Sequence, residues 1–304
     1  MEEAAELKEL VAETGRMLLD QGLVARTWGN VSARINQETY AITPSGLDYR
    51  LTEPEDIAVV SLADGSWKGR RKPSGERGIH AAAYEALPGV NFVIHTHQNY
   101  ATALGLGGFD NDKLTPEERE ILGTVTTAGY ALPGTKALAR NVLKHYLEGS
   151  RVVLMAHHGA VICGTDRDDA FRKATLLEEV CKRQLRGMDP DRPAAEQFAA
   201  LGLPLKIQLD DMAQIMGKKI RVVPAGQVLE KVLMKYGALI EEGKTIRVAA
   251  KDAEEEETLR LLTETAAISA LHTRAIGKEA LRSKLDVWLM RAISRGKYSK
   301  QIKG

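Results

Sequence analysis

Residues 91–97 read Asn-Phe-Val-Ile-His-Thr-His, an apolar run that closes on two histidines two positions apart. No other stretch constrains the fold so tightly. A short apolar run bounded by Pro88-Gly89 and a polar exit reads as a strand. On a strand, positions i and i+2 share a face, so His95 and His97 point the same way. One buried imidazole loses its hydration, and two together repel if both are charged. Two readings fit: satisfied core histidines, or a pair of ligands to a divalent metal.

Further ligand types lie on either side. Lys72-Pro-Ser-Gly-Glu76 places a carboxylate after a Ser-Gly turn, at a helix N-terminus that favours its charge. It reads as a plain N-terminal charge, or as a metal ligand and general base. His80, one helical turn later, reads as a packed helix histidine, with orientation of the site as the alternative. His157-His158-Gly159 follows the apolar run Val152 to Ala156. Adjacent strand residues face opposite ways, so one of the two histidines meets a metal and the other does not. The plain reading is a chain-exit turn with one exposed histidine. Three histidines with an open fourth position would make a catalytic site, not a closed structural one. Gly29-Asn-Val-Ser32, Thr43-Pro-Ser-Gly46 and Ser74-Gly75 are small hydroxyl-bearing turns, suited to an anion such as phosphate. Turns are built of such residues in any case. The chain has no P-loop and no Gly-x-Gly-x-x-Gly fingerprint.

Composition narrows the function classes. The 304 residues are 44% hydrophobic and 27% charged with a net charge of +1, as in an ordinary globular protein, so no global charge draws it to nucleic acid or acidic membranes. Residues 1–13 are acidic and amphipathic, unlike a secretory signal. No apolar run approaches the ~20 residues of a membrane span. Two cysteines, Cys163 and Cys181, argue for a reducing compartment and a cytoplasmic location.

Periodicity predicts helices over about 7–21, 77–86, 98–106, 135–148 and 167–186, and a short one after Pro116. Strands are predicted over about 31–35, 40–43, 57–62, 67–69, 91–96 and 151–156, with Asp64-Gly65 as a hairpin turn. Hairpin-joined strands with helices between them suggest a mainly antiparallel sheet covered by helices. Gly187 to Pro193 is the expected boundary between a domain of residues 1–190 and an extension over 205–304. Beyond it, 208–216, 225–236, 253–272 and 278–295 read as helices, with strands near 219–223, 237–240 and 245–249. Residues 237–270 echo 151–183: apolar strand, acidic turn, long helix.

Taken in order, these motifs resemble the class II aldolase/adducin family. The resemblance is carried by Gly29-Asn-Val-Ser-Ala-Arg34, Ile42-Thr-Pro-Ser-Gly46 and Lys72-Pro-Ser-Gly-Glu76 with His80 and Tyr84. Val93-Ile-His-Thr-His97, Gly129-Tyr-Ala-Leu-Pro-Gly-Thr135 and His157-His-Gly-Ala-Val-Ile-Cys-Gly164 complete it. It covers roughly residues 5–185 and is strongest toward the L-fuculose-1-phosphate aldolase branch. It implies a three-layer α/β/α domain with a mostly antiparallel central sheet, and a homotetramer with sites between subunits. It implies zinc, with manganese, cobalt or iron as alternatives, held by Glu76, His95, His97 and His158. Glu76 is then the catalytic base, and Asn30, Thr43, Ser45, Gly46, Ser74 and Gly75 hold phosphate. The expected reaction is metal-dependent cleavage of a ketose 1-phosphate to dihydroxyacetone phosphate and an aldehyde through an enediolate. A sugar-phosphate 4-epimerase, a methylthioribulose-phosphate dehydratase, a decarboxylase and a metal-free adducin-like binding protein are the alternatives. Three departures stand out. Ser74-Gly75 replaces the family's Ser-Ser, the loop 107–118 lacks the family's tyrosine acid, and residues 205–304 extend beyond the compact members. Tyr298 could supply the missing acid, or be an ordinary tail tyrosine.

Overall fold

Val31 and Ala33 alternate with Ser32 and Arg34, and segments patterned like this one build an eight-stranded sheet. The computed structural model describes residues 2–25, 27–202, 220–223, 238–241, 246–250 and 252–278, with a few positions between 283 and 289. The strands are β1 (Asn30–Arg34), β2 (Thr39–Ile42), β3 (Ala58–Ser61), β4 (Trp67–Lys68), β5 (Phe92–Thr96), β6 (Val125–Ala128), β7 (Val152–Met155) and β8 (Gly159–Gly164). Their order is β4-β3-β2-β1-β5-β8-β7-β6. Every pairing is antiparallel except β6 with β7.

Helices cover both faces. The helices are α1 (Glu2–Asp20), α2 (Arg77–Ala86), α3 (Asn99–Leu104), α4 (Pro116–Leu122), α5 (Lys136–Leu147) and α6 (Arg167–Gln184). Val31, Ala33, Ile94 and Ile162 pack with Val11 and Leu18 of α1, Leu104 of α3 and Leu177 of α6. Val93, Val153, Val161 and Cys163, on the opposite face, pack with Ile79 and Tyr84 of α2 and Val142 and Tyr146 of α5. The result is a three-layer α/β/α domain with a mostly antiparallel centre, as the motifs implied. Both faces of β5 are buried, which is why its sequence is a continuous apolar run without alternation.

Two strands escape the sequence pattern. The segment β6 is Val-Thr-Thr-Ala at the edge of the sheet, too short and polar to stand out. It pairs parallel to β7 because α5 crosses between them, a single β-α-β unit inside an antiparallel sheet. The strand β8 follows His158 directly, where a chain exit was the plain expectation. There the backbone turns through Ala156 to His158 and returns antiparallel to β7. His157 sits at φ 62°, the one described non-glycine residue with positive φ.

Beyond residue 190 the described elements are α7 (Ala194–Ala199), β9 (Ile220–Val223), β10 (Ala238–Glu241), β11 (Ile246–Val248) and α8 (Ala253–Ala275). The predicted helices over 208–216 and 225–236, and about two thirds of 278–295, lie outside the described residues. The segment β10-β11-α8 repeats the form of β7-β8-α6: an antiparallel pair, then a long helix capped by an aspartate. Asp166 accepts from the Asp169 N–H and Asp252 from the Glu255 N–H. The helix α8 packs on both α3 and α7, and Ala103 of α3 joins Ala194, Phe198, Leu259, Leu262, Ala266 and Leu271 in one apolar cluster. The Thr265 hydroxyl donates to Asn99 Oδ1 at 2.6 Å. The later residues thus press on the helix that begins two residues after His97.

Candidate metal centre

His95 is the last-but-one residue of β5 and is fully buried. Its Nδ1 lies 2.8 Å from the Ala160 carbonyl on β8. A carbonyl only accepts, so Nδ1 carries the proton and Nε2 keeps its lone pair. That lone pair faces His97 Nε2 at 3.0 Å and Glu76 Oε2 at 3.2 Å. The other carboxylate oxygen, Glu76 Oε1, lies 3.1 Å from His158 Nε2 and accepts no hydrogen bond of normal geometry. Glu76, His95, His97 and His158 each offer a ligand atom, and all four atoms lie within 4.8 Å of one another. Electron pairs converging in a buried site repel unless a cation lies among them, so these residues fit a divalent metal. The Nδ1–H of His95 on a backbone carbonyl is the usual way to orient a metal-binding imidazole.

Each ligand is placed by its element. Glu76 occupies the N-cap position of α2, and its N–H donates to the Ser74 hydroxyl at 3.2 Å. Burial by itself would raise its carboxyl; when no cation lies among the ligands, positive charge carried on the facing His158 and His95 outweighs that and holds it well below the usual range. His97 lies beyond the end of β5, on the face that His95 shares. Gly159 lets β8 approach: a Cβ there would lie 2.1 Å from the Thr96 oxygen. His158 precedes that glycine and joins the cluster. His157 does not; its ring lies edge-on to Tyr130 with centroids 5.7 Å apart.

The residues read as an anion cradle divide. Ser45 N–H donates to the Lys72 carbonyl at 2.9 Å and Ser74 N–H to the Thr43 carbonyl at 3.0 Å, so the turns 43–46 and 72–75 are pinned side by side. Pro44 and Pro73 bridge between them. Gly46 takes the left-handed φ its turn needs, 73°. Thr43 Oγ1 accepts the Val31 N–H. Gly75 lies under the turn at Gly134. Asn30 and Ser32 sit on β1 and face α2; the strand begins one residue before its predicted start and so includes Asn30. The Asn30 amide donates to Glu76 Oε2 at 3.0 Å.

Sequence reading missed the supports. Gln98 accepts from Thr96 Oγ1 at 2.8 Å and donates to the Ala174 carbonyl at 2.6 Å, clamping the exit of β5 to α6. Glu178 accepts the N–H groups of Tyr100 and Ala101 at 2.9 Å, capping α3. Trp28 stands 6.0 Å from the His97 ring. None has a local pattern: each is one polar or aromatic residue whose partner is distant in sequence. His80 is fully buried, and burial, with His95 adding to it, pushes its imidazole down to about 3 against the pull of Glu76.

Residues 9–185, more than half of the chain, match the family described as Class II Aldolase and Adducin N-terminal domain. The chain belongs to this family. A 5-deoxy-D-ribulose 1-phosphate aldolase of Bacillus thuringiensis serovar kurstaki is 33% identical over 58% of this chain and 80% of its own length. An L-fuculose phosphate aldolase of Methanococcus maripaludis is 34% identical over 55% of this chain and 89% of its own. A solved L-fuculose 1-phosphate aldolase is 31% identical, covering 59% of this chain and 84% of its own, with a TM-score of 0.53. Relatives of similar identity carry other names, a 3-oxo-tetronate 4-phosphate decarboxylase and an L-ribulose-5-phosphate 4-epimerase. The class II aldolases are metal-dependent, and in this enzyme Glu76, His95, His97 and His158 form one cluster that could hold such an ion. Among the described residues no helix is long and apolar enough to cross a membrane.

Proposed function

We propose that the chain cleaves a ketose 1-phosphate, fuculose-phosphate-like, to dihydroxyacetone phosphate and an aldehyde. The observation that carries this reading is the convergence of Glu76, His95, His97 and His158 beside two turns pinned together at 43–46 and 72–75. These four residues would hold the ion, for which zinc is the first choice; manganese, cobalt and iron accept the same donors. Bound there, it supplies Lewis acidity, polarising the ketose carbonyl and offsetting the charge of the enediolate.

The protein's own part begins with binding. The hydroxyls of Thr43, Ser45 and Ser74 and the backbone N–H groups of Gly46 and Gly75, with the second amide N–H of Asn30, take the phosphate; the N–H groups of Thr43, Ser45 and Ser74 are already bonded to backbone carbonyls. With glycine at position 75, its side of the cradle rests on backbone donors. Cleavage removes a proton from the hydroxyl beyond the scissile bond. It then breaks the carbon–carbon bond and leaves the electron pair as an enediolate. Glu76 holds and returns the proton at the carbon beside the carbonyl, a role that suits a carboxylate buried within reach of the reacting atoms. The C-terminal acid candidate Tyr298 lies outside the described residues.

The same reading takes residues 1–190 as the catalytic unit and 205–304 as an extension, in a cytoplasmic homotetramer. A 4-epimerase, a decarboxylase or a methylthioribulose-phosphate dehydratase uses related enediolate chemistry, and two curated relatives bear the first two names. Incubation of metal-loaded protein with ketose 1-phosphates, scored for dihydroxyacetone phosphate, separates these readings. Release of that product supports the aldolase; conversion without it supports one of the others. A protein without bound divalent metal and indifferent to chelator would be the adducin-like binding protein instead.

A further inference from the structure

A chain of buried polar side chains leads away from Glu76 through the sheet. Asn30 Nδ2 donates to Glu76 Oε2 at 3.0 Å. Asn30 Oδ1 is bonded to His80 Nε2. His80 Nδ1 is 2.6 Å from Ser32 Oγ, and Ser32 Oγ is 2.6 Å from Tyr84 OH. Asn30, Ser32, His80 and Tyr84 are all buried. The Arg34 guanidinium sits 4.8 Å from the centroid of the Tyr84 ring and holds it in place.

The donors can be assigned link by link. A carboxylate only accepts, so the Asn30 amide must present nitrogen to Glu76 and oxygen to His80. An amide oxygen only accepts, so His80 Nε2 carries the proton. A neutral imidazole then has a bare Nδ1, which takes the Ser32 hydroxyl proton. The Ser32 oxygen in turn takes the Tyr84 hydroxyl proton. Every donor points toward Glu76, and each link fixes the next.

We propose that His80 is a positioning residue that, acting through Asn30, keeps an N–H donor on Glu76 Oε2 and leaves Oε1 as the oxygen free for the ion and for proton transfer. The proposal rests on the metal-site reading above. It adds a division of labour between the two carboxylate oxygens and names the tautomer that enforces it. Without His80, the Asn30 amide could turn over and set two acceptors against each other, releasing the carboxylate to rotate.

The test uses the full chain, zinc-loaded and metal-free, with nitrogen-15 in its seven histidines. Long-range proton–nitrogen spectra report the tautomer, and the pattern lost in His80→Gln assigns His80. An Nε2–H tautomer in both forms is expected; an Nδ1–H tautomer overturns the proposal. His80→Phe is expected to lower zinc affinity, or kcat at near-constant KM, by about ten- to a hundredfold. His80→Gln, whose amide reaches the Nε2 position and still donates, is expected to recover most of that loss. Folded His80→Phe with wild-type affinity and kcat overturns the proposal. If His80→Phe does not fold, Ser32→Ala is read by zinc affinity in its place, and unchanged affinity there overturns it too. Should no ketose phosphate be cleaved, the activity reading falls, while the tautomer and zinc affinity still decide this one.

Discussion

Gly159→Ala tests how closely two histidine-bearing strands must approach. Gly159 opens β8 with φ at 143°, where a side chain is strained. An added Cβ would lie 2.1 Å from the Thr96 oxygen, 3.1 Å from its carbon and 3.2 Å from His97 Cα. All three are backbone atoms at the end of the neighbouring strand β5 and of the residue that follows it, so no side-chain rotation relieves the clash. Backbone strain costs about 1–3 kcal/mol, and overpacking a close-packed core costs about 1–3 kcal/mol more. Together that is about 2–6 kcal/mol, which at a urea dependence of about 2 kcal/mol/M lowers the unfolding midpoint by about 1–3 M. The shift forces apart the segments that carry His97 and His158, so metal affinity falls as well. Equilibrium urea unfolding and chelator competition measure the two effects. A midpoint shift under about 0.3 M with unchanged metal affinity would refute the argument that glycine is required for the strands' approach.

Glu76→Gln keeps the metal, because three imidazoles remain, but loses the proton carrier; turnover near wild type, measured as product release, would remove its role as base. His97→Ala takes away one of three imidazoles and is expected to empty the site on dialysis, as elemental analysis would show. Glu178 adds a pH signature. Burial pushes its carboxyl up to about 7 from 4.5, opposed by the N–H groups of Tyr100, Ala101 and Asn99. A raised carboxyl favours the protonated folded form, so this group's contribution is full below pH 4.5 and lost as pH rises through 7. The rise from 4.5 to about 7 corresponds to about 3–4 kcal/mol, and the partial exposure of Glu178 reduces that to about 1–2 kcal/mol. The difference in unfolding free energy between wild type and Glu178→Gln should change by that amount between pH 4.5 and 7.5; a flat difference would contradict it.

Much of this molecule is local chemistry and therefore legible in its sequence. The helix over 77–86, the apolar strand at 92–96 and the capped helix after Asp166 each follow from spacing and end signals within a few residues. His95 and His97 share a face because strand geometry has a period of two. Other features follow from partners far along the chain. Asn30 belongs to Glu76 because β1 lies beside β5, a pairing no local pattern contains. Gln98 and Glu178 matter because α6 packs behind the exit of β5. The edge strand β6 is short and polar, so only its neighbour β7 makes it a strand.

By itself, then, the sequence determined the ligand types, their order and the faces they occupy, since propensity and periodicity are properties of neighbouring residues. Tertiary structure alone decided that Glu76, His95, His97 and His158 meet within 4.8 Å, and that His158 joins them where His157 turns away. It also decided which proton each buried imidazole carries. A tautomer is set by whatever group faces each ring nitrogen, and in this protein those groups, Ala160 for His95 and Asn30 for His80, arrive from other strands.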